Sequence, residues 1–494
     1  MNKIETDSAL SNLLSTNQPN IDKIFVIIAD YIFNYQVKSD LAIKTAGYVL
    51  LDSFACAFEA LEHKKCTKLL GPYFSGITVN QGARVIGTNF ILDPFKATFD
   101  TGVLIRWLDY NDTWLAKEWG HPSDNLAGIL VIADYINRNN LTNQLITIKD
   151  ILNLLVKAYE IQGIIALENS FNSVGIDHVI LVKLATSAIV TKMLGGNFEQ
   201  VVNVISQVWA DGNSLRLYRH APNTGSRKSW AAGDAAKRAI ELSWLTLKGE
   251  QGYLSSFSAP KWGFSDVIFK SQELILNKKF SSYVMENILF KISYPAEFHA
   301  QTAAEAAITL YHKMENLNNN INDISKIEIY TQKPAIDIIS KTGPLYNFAD
   351  RDHCLQYIVA IGLIYGKLTA SHYEDSIANN KKIDDLRSLM EVSEDKNYTK
   401  DYYDLNKRAI SNAIKIYFKD GSFIEKEEVK YPLGHRNRRE EGVKKLIDKL
   451  NNSLGLVFDD NNITKIKELD LQNNFDNVYN MPVNHFIDYF VKTE

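Results

Sequence analysis

Ser229-Trp-Ala-Ala-Gly-Asp-Ala-Ala-Lys-Arg-Ala-Ile-Glu-Leu-Ser-Trp-Leu-Thr-Leu-Lys248 decides the fold class. Ala231, Ala235, Ala239 and Leu242 recur at three- and four-residue intervals and so line one face of a helix. A face of alanines lets a neighbouring helix approach closely, and Gly249 follows as a C-terminal stop. Working outward, the same period governs what comes before. Ile21, Ile24, Ile28 and Ile32 mark a helix over residues 21–35. Ser39 reads as the cap of a second helix running to Leu61, and Thr147 opens a third over residues 147–163. Residues 176–194 make another buried helix. Residues 84–91 read as a short strand or an extended loop.

The pattern changes after about Lys278. Residues 327–331 alternate and are rich in β-branched side chains. Residues 413–418 and 423–429 flank Lys419-Asp-Gly-Ser, a hairpin about an Asp-Gly turn. Helical spacing lies between, at 303–314 and 355–368, and again at 440–454. Asn316 to Asn322 read as a polar surface loop. The expected architecture is mainly α with an α+β part: a large all-helical domain over 1–280, a smaller α+β lid domain over 281–432, and a C-terminal segment, 433–494, returning to the helical domain.

Composition narrows the function. A chain of 494 residues with 46% hydrophobic and 23% charged residues is an ordinary globular mixture. Net charge is −4, without the basic balance of a nucleic-acid binder. The first residues lack the apolar core of a signal peptide. The apolar run 48–61 is broken by Asp52 and is too short to span a bilayer, so no membrane partner is expected. The three cysteines, Cys56, Cys66 and Cys354, have no metal-ligand spacing and suit a reducing compartment. The expectation is a cytoplasmic protein with no nucleic-acid partner.

Asp109-Tyr-Asn-Asp-Thr-Trp-Leu-Ala-Lys-Glu-Trp-Gly-His-Pro-Ser-Asp124 concentrates proton-transfer groups. Gly120 and Pro122 shape a loop around His121. Ser123 reads as the N-cap of a helix carrying Leu126, Ile129, Leu130, Ala133 and Ile136 on one face. His121 would then sit ahead of a positive helix end, which favours neutral imidazole, the form a base requires. Ser226, Arg227 and Lys228 stand at the start of the alanine-faced helix, a possible carboxylate grip, although a solvated basic turn is the commoner meaning of such a run. His178, Lys291, His299 and His353 are each weak signals alone; a lone histidine is more often simply packed. No His-x-x-x-His pair, Walker loop, dinucleotide glycine pattern or Gly-x-Ser-x-Gly elbow is present, so no metal and no cofactor is expected.

Three runs in order resemble the MmgE/PrpD family: Asp109-Tyr-Asn-Asp-Thr with Gly-His-Pro-Ser-Asp, Ala158-Tyr-Glu-Ile-Gln-Gly with Asp177-His178, and Tyr218-Arg-His-Ala-Pro-Asn-Thr-Gly-Ser-Arg-Lys-Ser-Trp. Residues 291–301 and 343–357 extend the likeness over nearly the whole chain. It is nearest to the members that act on 2-methylcitrate. The resemblance implies a helical domain with an α+β lid, a homodimer, and iron-independent dehydration of 2-methylcitrate to 2-methyl-cis-aconitate in propionate catabolism, with citrate and cis-aconitate interconversion as a possible side activity. It places active-site positions at Asp109, Thr113 and His121, with a Thr-to-His gap longer than in the family's decarboxylase branch, and at His178, Lys228 and Lys291. The chemistry calls for a base, an acid for the leaving oxygen, and cations for three carboxylates. His121 and His178 are expected to divide the proton transfers, and Asp109 to orient His121 or act directly on a proton. Lys228 joins them as a catalytic candidate. Thr113, Ser226, Arg227, Lys291 and His299 are the expected substrate contacts. The alternatives are cis-aconitate decarboxylation or another polycarboxylate reaction of the same family, and a non-catalytic polycarboxylate-binding protein.

Overall fold

The computed structural model describes residues 21–220, 222–404, 406–471 and 475–492. The N-terminal stretch read above for a signal peptide lies outside the described residues. Helices α1 (Lys23–Asn34), α2 (Asp40–Ala60), α3 (Pro94–Arg106), α4 (Leu126–Arg138), α5 (Ile148–Glu168), α6 (Val179–Met193), α7 (Phe198–Ala210) and α8 (Arg227–Leu247) build the first part. Their start signals work as chemistry dictates. The Ser39 hydroxyl accepts from Ala42 N–H, and Thr147 and Asp150 form a reciprocal capping box on α5. Residues 84–91 resolve into a two-residue antiparallel ladder, Ala83–Arg84 with Ile91–Leu92.

Helix α8 is sandwiched between α3 and α6. The alanine face read from the sequence is buried, and so is a second face of Ala232, Gly233, Ala236 and Ile240. Where α8 crosses α3 there is no room for a side chain: a Cβ on Gly102 would stand 2.6 Å from Gly233 Cα. This close crossing carries Arg106, the last residue of α3, and Lys228, in the first turn of α8, into one neighbourhood.

A second core gathers residues from Ala296 to Ile424. Helices α9 (Gln301–Asn316) and α10 (Leu355–Tyr365) pack on each other, and α9 packs on a four-stranded sheet. The strands are β1 (Ile324–Thr331), β2 (Met390–Glu394), β3 (Asn412–Phe418) and β4 (Phe423–Val429), in the spatial order β2-β1-β3-β4. The Asp-Gly hairpin is β3–β4, antiparallel. Strand β2 has no counterpart in the sequence reading. It offers only Met390 and Val392 as apolar residues and exists through parallel pairing with β1, Ile327 opposite Met390.

Helix α11 (Arg439–Val457) returns to pack on α2, and α12 (Val483–Asp488) packs on α4. Lys449 of α11 is buried, donating to Asp52 Oδ1 at 2.8 Å and to the carbonyls of Tyr110 (2.9 Å) and Lys291 (3.1 Å). The length of α2 differs from the reading of a run too short to span a bilayer. Helix α2 spans 21 residues and is long and apolar enough to cross a membrane by composition, yet it lies inside the core with Asp52 paired to Lys449.

A side chain at the glycine crossing should force α3 and α8 apart. Gly102→Ala is expected to lower stability by about 1–3 kcal/mol, as overpacking does. Urea unfolding measures it; an unshifted midpoint would show that the crossing has slack.

Candidate active site

The site lies where the two cores meet. Helix α3 ends at Arg106, and the chain turns through Asp109 at φ +51°, a left-handed conformation that Asp tolerates better than most residues. Trp114 and Gly120 then exchange backbone hydrogen bonds, Trp114 N to Gly120 O at 2.8 Å and Gly120 N to Trp114 O at 3.3 Å. This small hairpin absorbs the long gap between Thr113 and His121 and sets Thr113 Oγ1 3.4 Å from His121 Nδ1. Ser123 is not a helix cap, contrary to expectation. It sits within a 3-10 turn, Pro122–Asn125, and its N–H (3.2 Å) and hydroxyl (2.6 Å) both donate to Asp112 Oδ1. Tyr159 donates to the other oxygen of Asp112 at 2.6 Å. Asp112 therefore holds the loop rather than facing a ligand.

Asp109 is the hub. Arg106 Nη1 donates to its Oδ1 at 2.5 Å and Lys291 Nζ at 2.6 Å. His121 Nε2 lies 3.9 Å from Oδ1, and His353 Nε2 lies 3.6 Å from Oδ2. Burial alone would raise the Asp109 carboxyl, but the charges of Arg106 and Lys291 hold it well below the usual carboxylate range. His121 Nδ1 meets the Asp112 carbonyl at 2.6 Å, an acceptor only, so the proton belongs on Nδ1 and the lone pair on Nε2. Arg106 Nη2 donates to that lone pair at 2.9 Å. Burial, then the charges of Arg106 and Lys291, depress the His121 pKa well below the ordinary imidazole value.

His178 precedes α6 and packs edge-on against His121, ring centroids 5.6 Å apart. Neither of its ring nitrogens has a hydrogen-bond partner among the described residues, although Asp177 Oδ1 lies 3.2 Å from Nδ1. Burial, with Arg219 and Arg216 nearby, keeps it neutral against the pull of Asp177. From the other core, Asp352 receives Lys228 Nζ on both oxygens, at 2.6 and 2.7 Å, and His353 Nδ1 lies 3.0 Å from the same nitrogen. Burial lowers the Lys228 pKa against the opposing charge of Asp352. His121 and His353 are 12% and 13% exposed, while Asp109, Lys228 and Lys291 are at most 2% exposed; the two imidazoles form the open edge of a closed cluster.

Asp109, Thr113, His121, His178, Lys228 and Lys291 thus come together. Three other candidates stand differently. His299 is buried near the cluster, but Glu297 (2.8 Å) and Tyr402 (3.1 Å) engage both its ring nitrogens. Arg227 stacks on Trp230 and Tyr218, 4.4 and 5.5 Å from the ring centroids. Ser226 is exposed ahead of α8. The sequence reading missed Arg106 and Asp352 and named His353 only as a weak signal. Arg106 has no local signal beyond ending a helix; Asp352 and His353 lie inside the run 343–357.

Asp109, Asp352 and His353 offer atoms all within 4.8 Å of one another, a possible three-ligand metal set. Their surroundings fit a cation poorly: Lys228 bonds both oxygens of Asp352, and Lys291 and Arg106 both bond Asp109 Oδ1, so three positive charges already face the set.

Residues 26–276 match the MmgE/PrpD N-terminal domain and residues 294–473 the MmgE/PrpD C-terminal domain. The chain is 51% identical to 2-methylcitrate dehydratase of Escherichia coli K12, over 98% of this chain and 100% of that one. It is 49% identical to 2-methylcitrate dehydratase of Cupriavidus necator, over 96% and 98%, and 48% identical to a mitochondrial 2-methylcitrate dehydratase of Yarrowia lipolytica, over 98% and 93%.

Because the folded chain keeps His178 neutral, unfolding takes up a proton there as pH falls below 6.5. Stability should therefore fall on acidification. His178→Gln removes one such group, so its loss between pH 6.5 and 5 should be shallower by up to about 1.4 kcal/mol per pH unit. Urea titrations at several pH values measure this; identical slopes would refute a neutral buried His178.

Proposed function

We infer the activity from the premise that this chain belongs to the MmgE/PrpD family: it is a hydro-lyase that removes water from 2-methylcitrate to give 2-methyl-cis-aconitate. The observation that carries the chemistry is the junction of a lone-pair-bearing His121 Nε2 with Arg106, Lys228 and Lys291. The substrate comes from the relatives, all three of which are dehydratases by name; none favours decarboxylation.

The reaction breaks a C–H bond beside a carboxylate and a C–O bond on the next carbon. The C–H electron pair becomes the new double bond, and the oxygen leaves as water once protonated. In this reading, Arg106 caps the base in the free enzyme. A substrate carboxylate that draws the guanidinium away uncovers Nε2, aimed by the Nδ1 bond to the Asp112 carbonyl. Lys228 and Lys291 exchange part of their bonding to Asp352 and Asp109 for substrate carboxylates, which lowers the cost of charge building at the carbon that loses its proton. A bound trianion raises the pKa of nearby imidazoles, so His178 gains the proton that the departing oxygen needs. The ammoniums on Asp109 and Asp352 support a route without a metal.

His121→Ala is expected to cut kcat about 10²- to 10⁴-fold, the usual worth of a positioned base, with the fold retained. Alkene absorbance with 2-methylcitrate measures it, and near-normal turnover rejects the assignment. Dialysis against a strong chelator should leave turnover unchanged; loss that ferrous iron restores would overturn the metal-free route.

A further inference from the structure

A tricarboxylate asks for three cationic contacts, and the Asp109 cluster gives them mainly by exchange, with one N–H, Arg106 Nε, unpartnered among the described residues. Arg106 and Lys291 already bond Asp109, and Lys228 already bonds Asp352. Arg216 is different. Its segment pairs with residues 175–177: Arg216 N donates to Gly175 O and Asp177 N to Ser214 O, each at 2.9 Å. That pairing runs the Arg216 segment alongside the residues that lead into His178, whose pKa the Arg216 and Arg106 charges both lower, and the guanidinium lies 5.9 Å from the Trp119 ring centroid.

Arg216 is 8% exposed, yet neither its Nε nor its Nη1 has a hydrogen-bond partner among the described residues. Its ion-pair neighbour, Glu118 Oε1, stands 3.6 Å from Nη1 and also lacks a hydrogen bond. Glu118 is held through its other oxygen by Asn172 N–H at 2.8 Å. Burial pushes the Glu118 carboxyl up to about 7 against the pull of Arg216, so it compensates the guanidinium only in part. A buried cation with unmade N–H bonds is costly unless something fills them. His178, which follows the segment paired with Ser214 and Arg216, also has two unpartnered ring nitrogens among the described residues. Unmet polar atoms gathered beside a reacting histidine mark where a polar ligand sits.

We propose that Arg216 is a specificity-determining substrate residue: its unmade N–H bonds receive one carboxylate of the tricarboxylate whose reacting carbons lie at His121 and His178. The proposal rests on the dehydratase reading for its substrate, but binding tests it independently of turnover. The probes are propane-1,2,3-tricarboxylate, which has no hydroxyl to lose, and two dicarboxylates, glutarate (central group missing) and methylsuccinate (one terminal group missing).

Calorimetry with the whole chain should show the tricarboxylate binding wild type more tightly than the dicarboxylates do. Arg216→Gln should weaken the tricarboxylate about 10- to 100-fold, the range of a charged hydrogen bond, while at least one dicarboxylate binds both forms equally. In turnover of 2-methylcitrate the same variant should raise KM more than it lowers kcat. Glu118→Gln should keep tricarboxylate affinity; if it reproduces the Arg216→Gln loss, Arg216 serves only to hold Glu118 and the proposal falls. An equal loss for all three anions, or no loss, also overturns it. Should Arg216→Gln not fold, Glu118→Gln and the wild-type preference decide, and a wild type without preference for the third carboxylate is fatal. A wild type that prefers the tricarboxylate through Arg216 but forms no alkene would sink the dehydratase reading and leave the grip standing.

Discussion

One carboxylate, Asp109, organises the junction between the two cores. It is buried, ionised, and bonded at once by Arg106 from the end of α3 and by Lys291 from the link between the cores. A buried charge survives only when paired. Removing it would leave Arg106 and Lys291 facing each other without a counter-charge. Its left-handed backbone costs on the order of 1–3 kcal/mol and is what turns the carboxyl back toward the arginine three residues earlier.

Around that charge the imidazoles are held neutral by burial and neighbouring cations. Neutral imidazole is the form that can accept a proton. Arg106, Lys228 and Lys291 each bond a carboxylate of the protein in the closed site. Ligand entry is therefore an exchange of partners, and an anion supplies both the competition for the cations and, together with Asp177, the field that charges His178. Arg216, with bonds unmade, stands apart from that exchange.

Local chemistry made much of the architecture legible. The isoleucines of α1, the caps Ser39 and Thr147 and the Asp-Gly hairpin each carry their own structural instruction, and each element formed. Strand β2 did not announce itself, because two apolar residues among acids make a strand only when β1 offers its edge. Ser123 had the right identity for a cap, but Asp112 made a better partner than the helix end. Asp109, His121, His178, Lys228 and Lys291 were visible as motif residues. Asp352 was passed over and His353 stayed a weak signal because nothing local ties them to a loop more than two hundred residues earlier.

By itself the sequence determined the helical first part, the α+β second part, the family likeness and the types of group available for catalysis, because periodicity, caps and motifs are short-range properties of the chain. Only the tertiary structure decided which of those groups meet. The glycine crossing of α3 and α8, the return of α11 onto α2 through Lys449, and the approach of Asp352 to Lys228 depend on packing between distant segments. The same packing sets which nitrogen of His121 carries its proton and leaves the bonds of Arg216 unmade, since both follow from what surrounds a side chain and not from its identity.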